Sequence, residues 1–363
     1  MARKSKGFNR IRKLAAASSL GVAGLLGGGF SARAATTAIP FSLTRGGAYW
    51  YGIGNSFGDH SFAAATLLLC TTTTHCSTNT NGIPVGSEPF GITSATTGSR
   101  SDAFDSMLGM SVDGAAFVAP GGVVDLTGDT VFAGPVSLSG LSTDVRYEFF
   151  SNRPAVRALY SFANPSGSPI DATVVIGGEY GSDDDAIVQD TSSGDAVITA
   201  ADGWYVTSDG TPPGSDPDIT VSRFGGGASI MPTTVNVPGS GANDYFTESF
   251  DISVPPGGTC RIAFFVELSS SVENAVANAP DFDDLTSMSL AGLLDGLTSE
   301  EINQIVNIHP EAGCEGAGPG PAPREVPVPL LSAPAKISLA ALLALLGTIT
   351  MRRYRRREEA TKA

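Results

Sequence analysis

Between residues 35 and 335 the chain has no lysine. The eight basic residues of that stretch are all arginine and stand against 34 acidic ones, a net charge of −26. A surface of that sign repels nucleic acid and anionic lipid, which excludes a nucleic-acid-binding role. It suits hydration, divalent cations or a salty surrounding, and simple solubility explains it equally well. Internal repeats of 20–50 residues are absent, which argues against a solenoid or propeller. Long helical patterns between the strand-like runs are absent too, which argues against a parallel α/β sheet. Long apolar runs are confined to the two ends. Across the body no nucleophile, acid/base set or cofactor motif stands out, so catalysis is not expected.

Short runs of β-prone residues, punctuated by Gly, Asp, Ser and Pro, fill the middle of the chain. Residues 107–112 lead through Asp113-Gly114 into 115–118, a hairpin pattern. Residues 48–53, 145–150, 155–163, 170–176, 186–189, 196–199, 204–207, 218–224, 245–254 and 261–268 continue the series of expected strands. That spacing predicts a mainly β protein built as an antiparallel β-sandwich, one large or two packed. After residue 268 the character changes. Ser270-Ser271-Val272-Glu273 and Thr298-Ser299-Glu300-Glu301 are capping boxes, and Pro280 stops the first helix. Ile302, Ile305 and Val306 fall on one helical face behind the second. The division expected is an N-terminal β region (35–143), a β-sandwich region (144–268), a small helical cap (269–311) and a Gly/Pro-rich linker (312–329).

The ends carry the information on destination. Arg3, Lys4, Lys6, Arg10, Arg12 and Lys13 precede the small-residue apolar stretch 14–30 and the A-x-A site Ala32-Arg33-Ala34. That layout is a secretory signal peptide spanning 1–34, cut by signal peptidase before Ala35. At the other end Val326-Pro327-Val328-Pro329 leads through Leu330-Leu331-Ser332 into an apolar run, which stops at Arg352-Arg353-Tyr354-Arg355-Arg356-Arg357. Residues 337–351 alone fall short of the roughly 20 apolar residues a bilayer needs, and extension back to Leu330 reaches a workable length. Arginines on one side only place residues 352–363 in the cytoplasm and the body outside, as a single-pass transmembrane helix.

A Pro-rich motif, a membrane span and a terminal arginine cluster together resemble the tripartite sorting signals of Gram-negative bacteria, the PEP-CTERM and IPTL-CTERM families. Val326-Pro327-Val328-Pro329 resembles the Val-Pro-Glu-Pro core with Val328 in place of Glu. Val328-Pro329-Leu330-Leu331-Ser332 is equally similar to the Ile-Pro-Thr-Leu-Ser form, with Ala333-Pro334 where that form has Glu-Trp. The likeness covers residues 326–357 and leaves the subfamily open. It implies an exosortase-type transpeptidase as partner, a transient anchor over 330–363, and passage to the cell surface or extracellular matrix.

Four cysteines in the exported part fit an oxidising compartment. Cys70 and Cys76 flank Thr71–Thr74 and His75, and proximity pairs them with each other and Cys260 with Cys314. Four cysteines allow three pairings, and all three fit the sequence. A Cys70/His75/Cys76 metal site lacks a fourth ligand. Gly54-Asn55-Ser56-Phe57-Gly58 matches the G-x-S-x-G nucleophile elbow, followed by residues 61–69 of helical composition and, further on, by His75 and His309. The elbow needs parallel strands that this body lacks, so Ser56 is not read as a nucleophile. Asp183, Asp184 and Asp185, with Asp190 nearby, form the densest carboxylate group and a Ca²⁺ candidate. Solvated turn aspartates produce the same pattern. Trp50 and Trp204, with Tyr49, Tyr51 and Tyr205, are candidates for a sugar-stacking platform, although core packing is the commoner fate of such rings. The functional expectation is an exported, membrane-tethered surface or matrix protein of structural or adhesive character. A polysaccharide-binding module and a polysaccharide-acting enzyme are the alternatives.

Overall fold

The computed structural model describes residues 34–55, 61–63, 66–68, 89–182, 186–210, 214–236 and 245–314. The stretch before Ala34, where a signal peptide is expected, and everything beyond Cys314, including the expected sorting motif, lie outside the described residues. No described helix is long and apolar enough to cross a membrane.

The first strands are β1 (Ala35–Ala38), β2 (Phe41–Arg45), β3 (Ala48–Ile53), β4 (Ser61–Ala63), β5 (Thr66–Leu68), β6 (Ser94–Thr97), β7 (Phe104–Val112) and β8 (Ala115–Ala116). They are followed by β9 (Val123–Thr127), β10 (Thr130–Leu138), β11 (Leu141–Phe149), β12 (Ala155–Ala163) and β13 (Ile170–Tyr180). The last are β14 (Ala186–Thr191), β15 (Trp204–Asp209), β16 (Asp218–Ser222), β17 (Thr234–Asn236), β18 (Tyr245–Val254) and β19 (Thr259–Ser269). A nine-stranded sheet has the order β1-β9-β10-β11-β12-β19-β16-β15-β14, and a five-stranded sheet the order β17-β18-β13-β7-β8. A three-stranded sheet, β2-β3-β6, and the hairpin β4-β5 complete the β structure. Every pairing between these described strands is antiparallel.

The mainly β, antiparallel expectation therefore holds. Alternation decides which face of each strand is buried. On β18 the inward row is Phe246, Glu248, Phe250, Ile252 and Val254, and on β11 it includes Val145, Tyr147 and Phe149. These apolar rows share one cluster that takes side chains from the nine-, five- and three-stranded sheets. The cluster draws on both sides of residue 143, and that position lies inside β11.

Two local expectations are corrected. Residues 61–69, helical by composition, carry β4 and β5 instead, because local propensity yields to cross-strand pairing. Residues 196–199 do not form a strand; they lie in a loop bent around Asp202, whose carboxylate accepts the Thr199 N–H and hydroxyl at 2.8 and 2.7 Å. The Asp113-Gly114 hairpin is observed, with φ of 48° and 79° at the two turn residues as a two-residue loop of this type requires.

Three short helices cover the outer face of the nine-stranded sheet: α1 (Val272–Asn278), α2 (Leu285–Leu290) and α3 (Ser299–Asn303). Phe282, Met288, Leu293, Ile305 and Ile308 pack there on Leu159, Trp204, Val206, Ala263 and Phe265. The Thr298/Glu301 capping box forms both of its hydrogen bonds, whereas α1 is capped by Ser271, which accepts from the Asn274 N–H. After α3 the chain runs beside β19, where Arg261 bonds the backbone of Gln304 and Val306. Asn307, fully buried, ties the same segment to Ala263 and to the Arg223 carbonyl.

Candidate functional site

Period-two alternation on β3 sends Ala48 and Trp50 into the core and Tyr49 and Tyr51 to the opposite face. Trp50 packs edge-on against Phe149 at 5.4 Å between ring centroids and tilts against Phe104 at 6.4 Å. The two tyrosines stack on each other at 5.8 Å with an interplanar angle of 27°. Tyr49 is 46% exposed and is the one aromatic ring among the exposed large apolar side chains of the described residues. Across the sheet, Tyr49 is opposite Thr96 and Tyr51 opposite Ser94.

Ser94 links the rings to a carboxylate. Its side chain hydrogen-bonds Tyr51, and its hydroxyl donates to Asp102 Oδ1 at 3.3 Å. Asp102 is exposed and has left-handed backbone, φ 68°. Partial burial raises the Tyr51 phenol pKa, the Ser94 bond opposes that, and the negative charges of Asp102, Asp105 and Asp216 add to the rise. The arrangement leaves the exposed Tyr49 ring stacked on the partly buried Tyr51 and the Asp102 carboxylate exposed nearby, while the Ser94 hydroxyl that links Tyr51 to Asp102 is buried.

The arginines among the described residues are used for internal contacts. Arg223 and Glu248 form a fully buried ion pair at 3.0 Å between the two large sheets. The Arg223 guanidinium also donates to the carbonyls of Thr199 and Asp202 and lies over the rings of Tyr205 and Phe224. Burial raises the Glu248 carboxyl pKa, and Arg223 pulls it back. Under the helical cap Arg153 bridges Glu267 and Asp281, and Arg157 donates to the Leu293 and Asp295 carbonyls at 2.6 and 3.1 Å. Burial lowers the pKa of Arg157 to about 10. Arg45 pairs with Asp129, Arg100 with Asp218 and Arg146 with Glu301. Guanidinium suits this use, since its planar fork makes several fixed hydrogen bonds and stacks on rings.

A shallow groove of about 350 Å³ lies across β13 and β18, lined by Asp113, Asp171, Thr173 and Asp251 among others. Thr173 occupies two of these carboxylates: its N–H donates to Asp113 at 2.9 Å and its hydroxyl to Asp251 at 2.8 Å. Among the described residues no three His, Cys, Asp or Glu side chains are grouped to hold a metal ion. Of the Ca²⁺ candidates, Asp183, Asp184 and Asp185 lie outside the described residues. Asp190 is partly buried on β14, and its carboxylate accepts the Thr191 N–H at 2.9 Å.

Cys260, at the start of β19, forms a disulfide with Cys314, their Cα atoms 4.2 Å apart. Cys70, Cys76, Ser56 and His75 lie outside the described residues, as do Ala32 and the motif residues Val326, Pro327, Val328, Pro329, Leu331 and Ser332. Asn55 is described: its amide exchanges two hydrogen bonds with the Ala119 backbone, at 2.8 and 3.0 Å. His309 follows α3, and its Nδ1 accepts the Glu311 N–H at 3.0 Å.

Of the five rings considered for a sugar-stacking platform, three are buried. Trp50 and Tyr205 are core residues, and Trp204 is packed under the cap, its indole N–H donating to Asp283 at 2.7 Å. Tyr205 instead shares a buried hydroxyl contact of 2.7 Å with Tyr180. Sequence reasoning missed Tyr180, Arg223, Glu248 and Asn307, whose partners are remote in sequence. The choice of arginine as the sole cation of the body was the available signal.

No protein-family model matches the chain, and no curated protein matches it by sequence. Several solved structures share a distant likeness of shape. A candidate aldose 1-epimerase from Klebsiella pneumoniae is 8% identical, with 62% of this chain and 82% of that one covered, at a TM-score of 0.34. A galactose mutarotase related enzyme from Lactobacillus acidophilus is 9% identical over 64% of this chain and 98% of its own, at 0.31. A polysaccharide lyase is 10% identical over 53% of this chain and 32% of its own, at 0.33. Likeness at this level assigns no activity.

Proposed function

We propose that the chain is an exported, membrane-tethered protein of the bacterial surface or extracellular matrix, whose acidic β body has a structural or adhesive role. The observation that carries the reading is the Cys260–Cys314 disulfide, set at the end of the segment that runs beside β19 and directly ahead of the Gly/Pro-rich stretch. Disulfides of this kind persist in oxidising compartments, in agreement with the basic-apolar-A-x-A start of the chain. The position of the bridge also suits a tether: tension arriving through residues 315–329 would meet a covalent link to a central strand before it reached the cap. The sorting-signal resemblance at 326–357 supplies the membrane span, the cytoplasmic arginine tail and the transpeptidase partner. The body's charge of −26 keeps such a surface hydrated and repels nucleic acid.

Expression of the full chain in a Gram-negative host, with a reporter fused after Ala363, tests the reading. The reporter is expected to be active in its cytoplasm-dependent form only, while the body is cut by protease added outside the inner membrane. Reporter activity on the exported side, or a body protected until the cytoplasm is opened, contradicts it.

A further inference from the structure

The sequence contains one Asp–Pro bond, Asp216–Pro217, and the fold gathers polar groups around it. We infer that this bond is a self-cleavage site, at which the Asp216 carboxylate attacks its own backbone carbonyl with the help of Arg100 and Asp218. The inference goes beyond the surface-protein reading and does not depend on it.

The groups converge on the bond from different parts of the chain. Arg100, from the turn between β6 and β7, donates through Nη1 to the Asp216 carbonyl oxygen at 2.9 Å. Negative charge grows on that oxygen when the carbonyl carbon is attacked, so a guanidinium there acts as an oxyanion donor. The same Nη1 holds Oδ2 of Asp218 at 3.0 Å. Asp218 is fully buried, and its Oδ1 has no hydrogen-bond partner. A buried carboxyl oxygen left over in this way is the place for a proton, since the neutral form needs no second cation. Burial raises the Asp218 pKa, and the charges of Glu273 on α1 and Asp209 on β15 add to the rise while Arg100 opposes it. Asp216 itself is 9% exposed. The Ser215 hydroxyl lies between Oδ1 of Asp216 and Oδ2 of Asp209, at 3.2 and 3.1 Å.

The step balances with water as its sole co-reactant. An Asp216 carboxylate oxygen bonds to the Asp216 carbonyl carbon and closes a cyclic anhydride. The carbon–nitrogen bond to Pro217 breaks, and the electron pair left on nitrogen takes the proton of Asp218. Proline suits the leaving position, because its nitrogen carries no N–H to be held in a ladder and departs as a basic secondary amine. Water then opens the anhydride into two carboxyl groups, and one of their protons returns to Asp218. No lysine between residues 35 and 335 competes with water for the anhydride. The cut falls between β15 and β16, yet β16 pairs with β15, and β12 pairs with β19. Residues up to 216 therefore stay attached through the sheets after the chain is cut.

The full-length protein in detergent, with protease inhibitors present, is incubated in mildly acidic buffer and followed by intact-mass spectrometry. Two fragments are expected, one of them beginning at Pro217, with masses that add up to the whole chain plus one water. Their formation should be first order, at a rate independent of protein concentration. Asp216→Ala should abolish cleavage, and Arg100→Gln should slow it about 10²–10³-fold, as loss of an oxyanion donor does. Arg100 also holds Asp218, so circular dichroism and melting temperature establish that each variant is folded. Pro217→Ala, which keeps all three side chains, should slow cleavage as well. The inference is overturned if the folded wild type yields no Pro217 terminus, or if the chain unfolded in urea is cut equally fast. An unchanged rate in folded Arg100→Gln or folded Pro217→Ala overturns it too.

Discussion

At the scale of single residues, Arg223 is used in a way that a lysine ammonium would not copy. Arg223 makes an ion pair with Glu248, two carbonyl contacts and two ring contacts from a fully buried position. Removal of one partner leaves a buried charge uncompensated, so Glu248→Leu and Arg223→Met should each destabilise the protein by about 3–5 kcal/mol. The double variant should recover much of that loss, and chemical denaturation of the three proteins measures it. Additive losses would show that the two groups act independently. The tyrosine–tryptophan alternation on β3 was legible because period two needs only the neighbouring residues. The Arg223–Glu248 pair was not, because its members lie on facing sheets and only the crossovers bring them together.

At the scale of elements, the segment 304–314 is the least obvious part of the design. It is not a helix, although Ile302, Ile305 and Val306 have the spacing of one. Ile305 and Val306 are instead buried as part of a strap beside β19, which is held by Arg261, Asn307 and the Cys260–Cys314 bridge. At Gly258 a side chain would collide with the Cys314 carbonyl, so the approach of strap and strand is close. Loss of the bridge in Cys260→Ala/Cys314→Ala should cost about 2–4 kcal/mol, and amide exchange should quicken first at Ile305 and Val306. Exchange that quickens uniformly over the molecule would contradict a local strap. Most strands could be read from their own residues, since β3, β12 and β18 span the alternating runs expected of them. Residues 61–69 and 196–199 could not, because cross-strand pairing in one case and the Asp202 carboxylate in the other outweigh local propensity.

At the scale of the whole molecule, acidity is the governing property, and it has a sign. Burial raises the carboxyl pKa of Glu248, Glu267 and Asp218 above the ordinary 4.5 and 3.8, with Arg223, Arg153 and Arg100 opposing it. The folded state thus keeps protons that the unfolded chain has already released. That part of the stability is complete below the ordinary carboxylate range and is lost as pH rises through the raised values. Against burial, hydrogen bonds from Thr199 and Ser193 lower Asp202, and Thr298 and Arg146 lower Glu301. Their contribution is present at neutral pH and is lost as pH falls through the lowered values. Self-repulsion of the −26 body adds to the first effect. The melting temperature is therefore expected to rise as pH falls from about 8 to about 5, and to drop below about 4. A curve that falls steadily from pH 8 downward would show that the raised carboxyls do not govern it.

Destination is also a property of the whole chain; the signals proposed for it lie at the two ends, while the structure describes the body between them. One measurement joins them: peptide mapping by mass spectrometry, without reduction, of the protein recovered from cells. The account predicts a mature N-terminus at Ala35 and a cross-linked peptide pair containing Cys260 and Cys314. Recovery of the chain with residues 1–34 intact and with both cysteines as free thiols would contradict it.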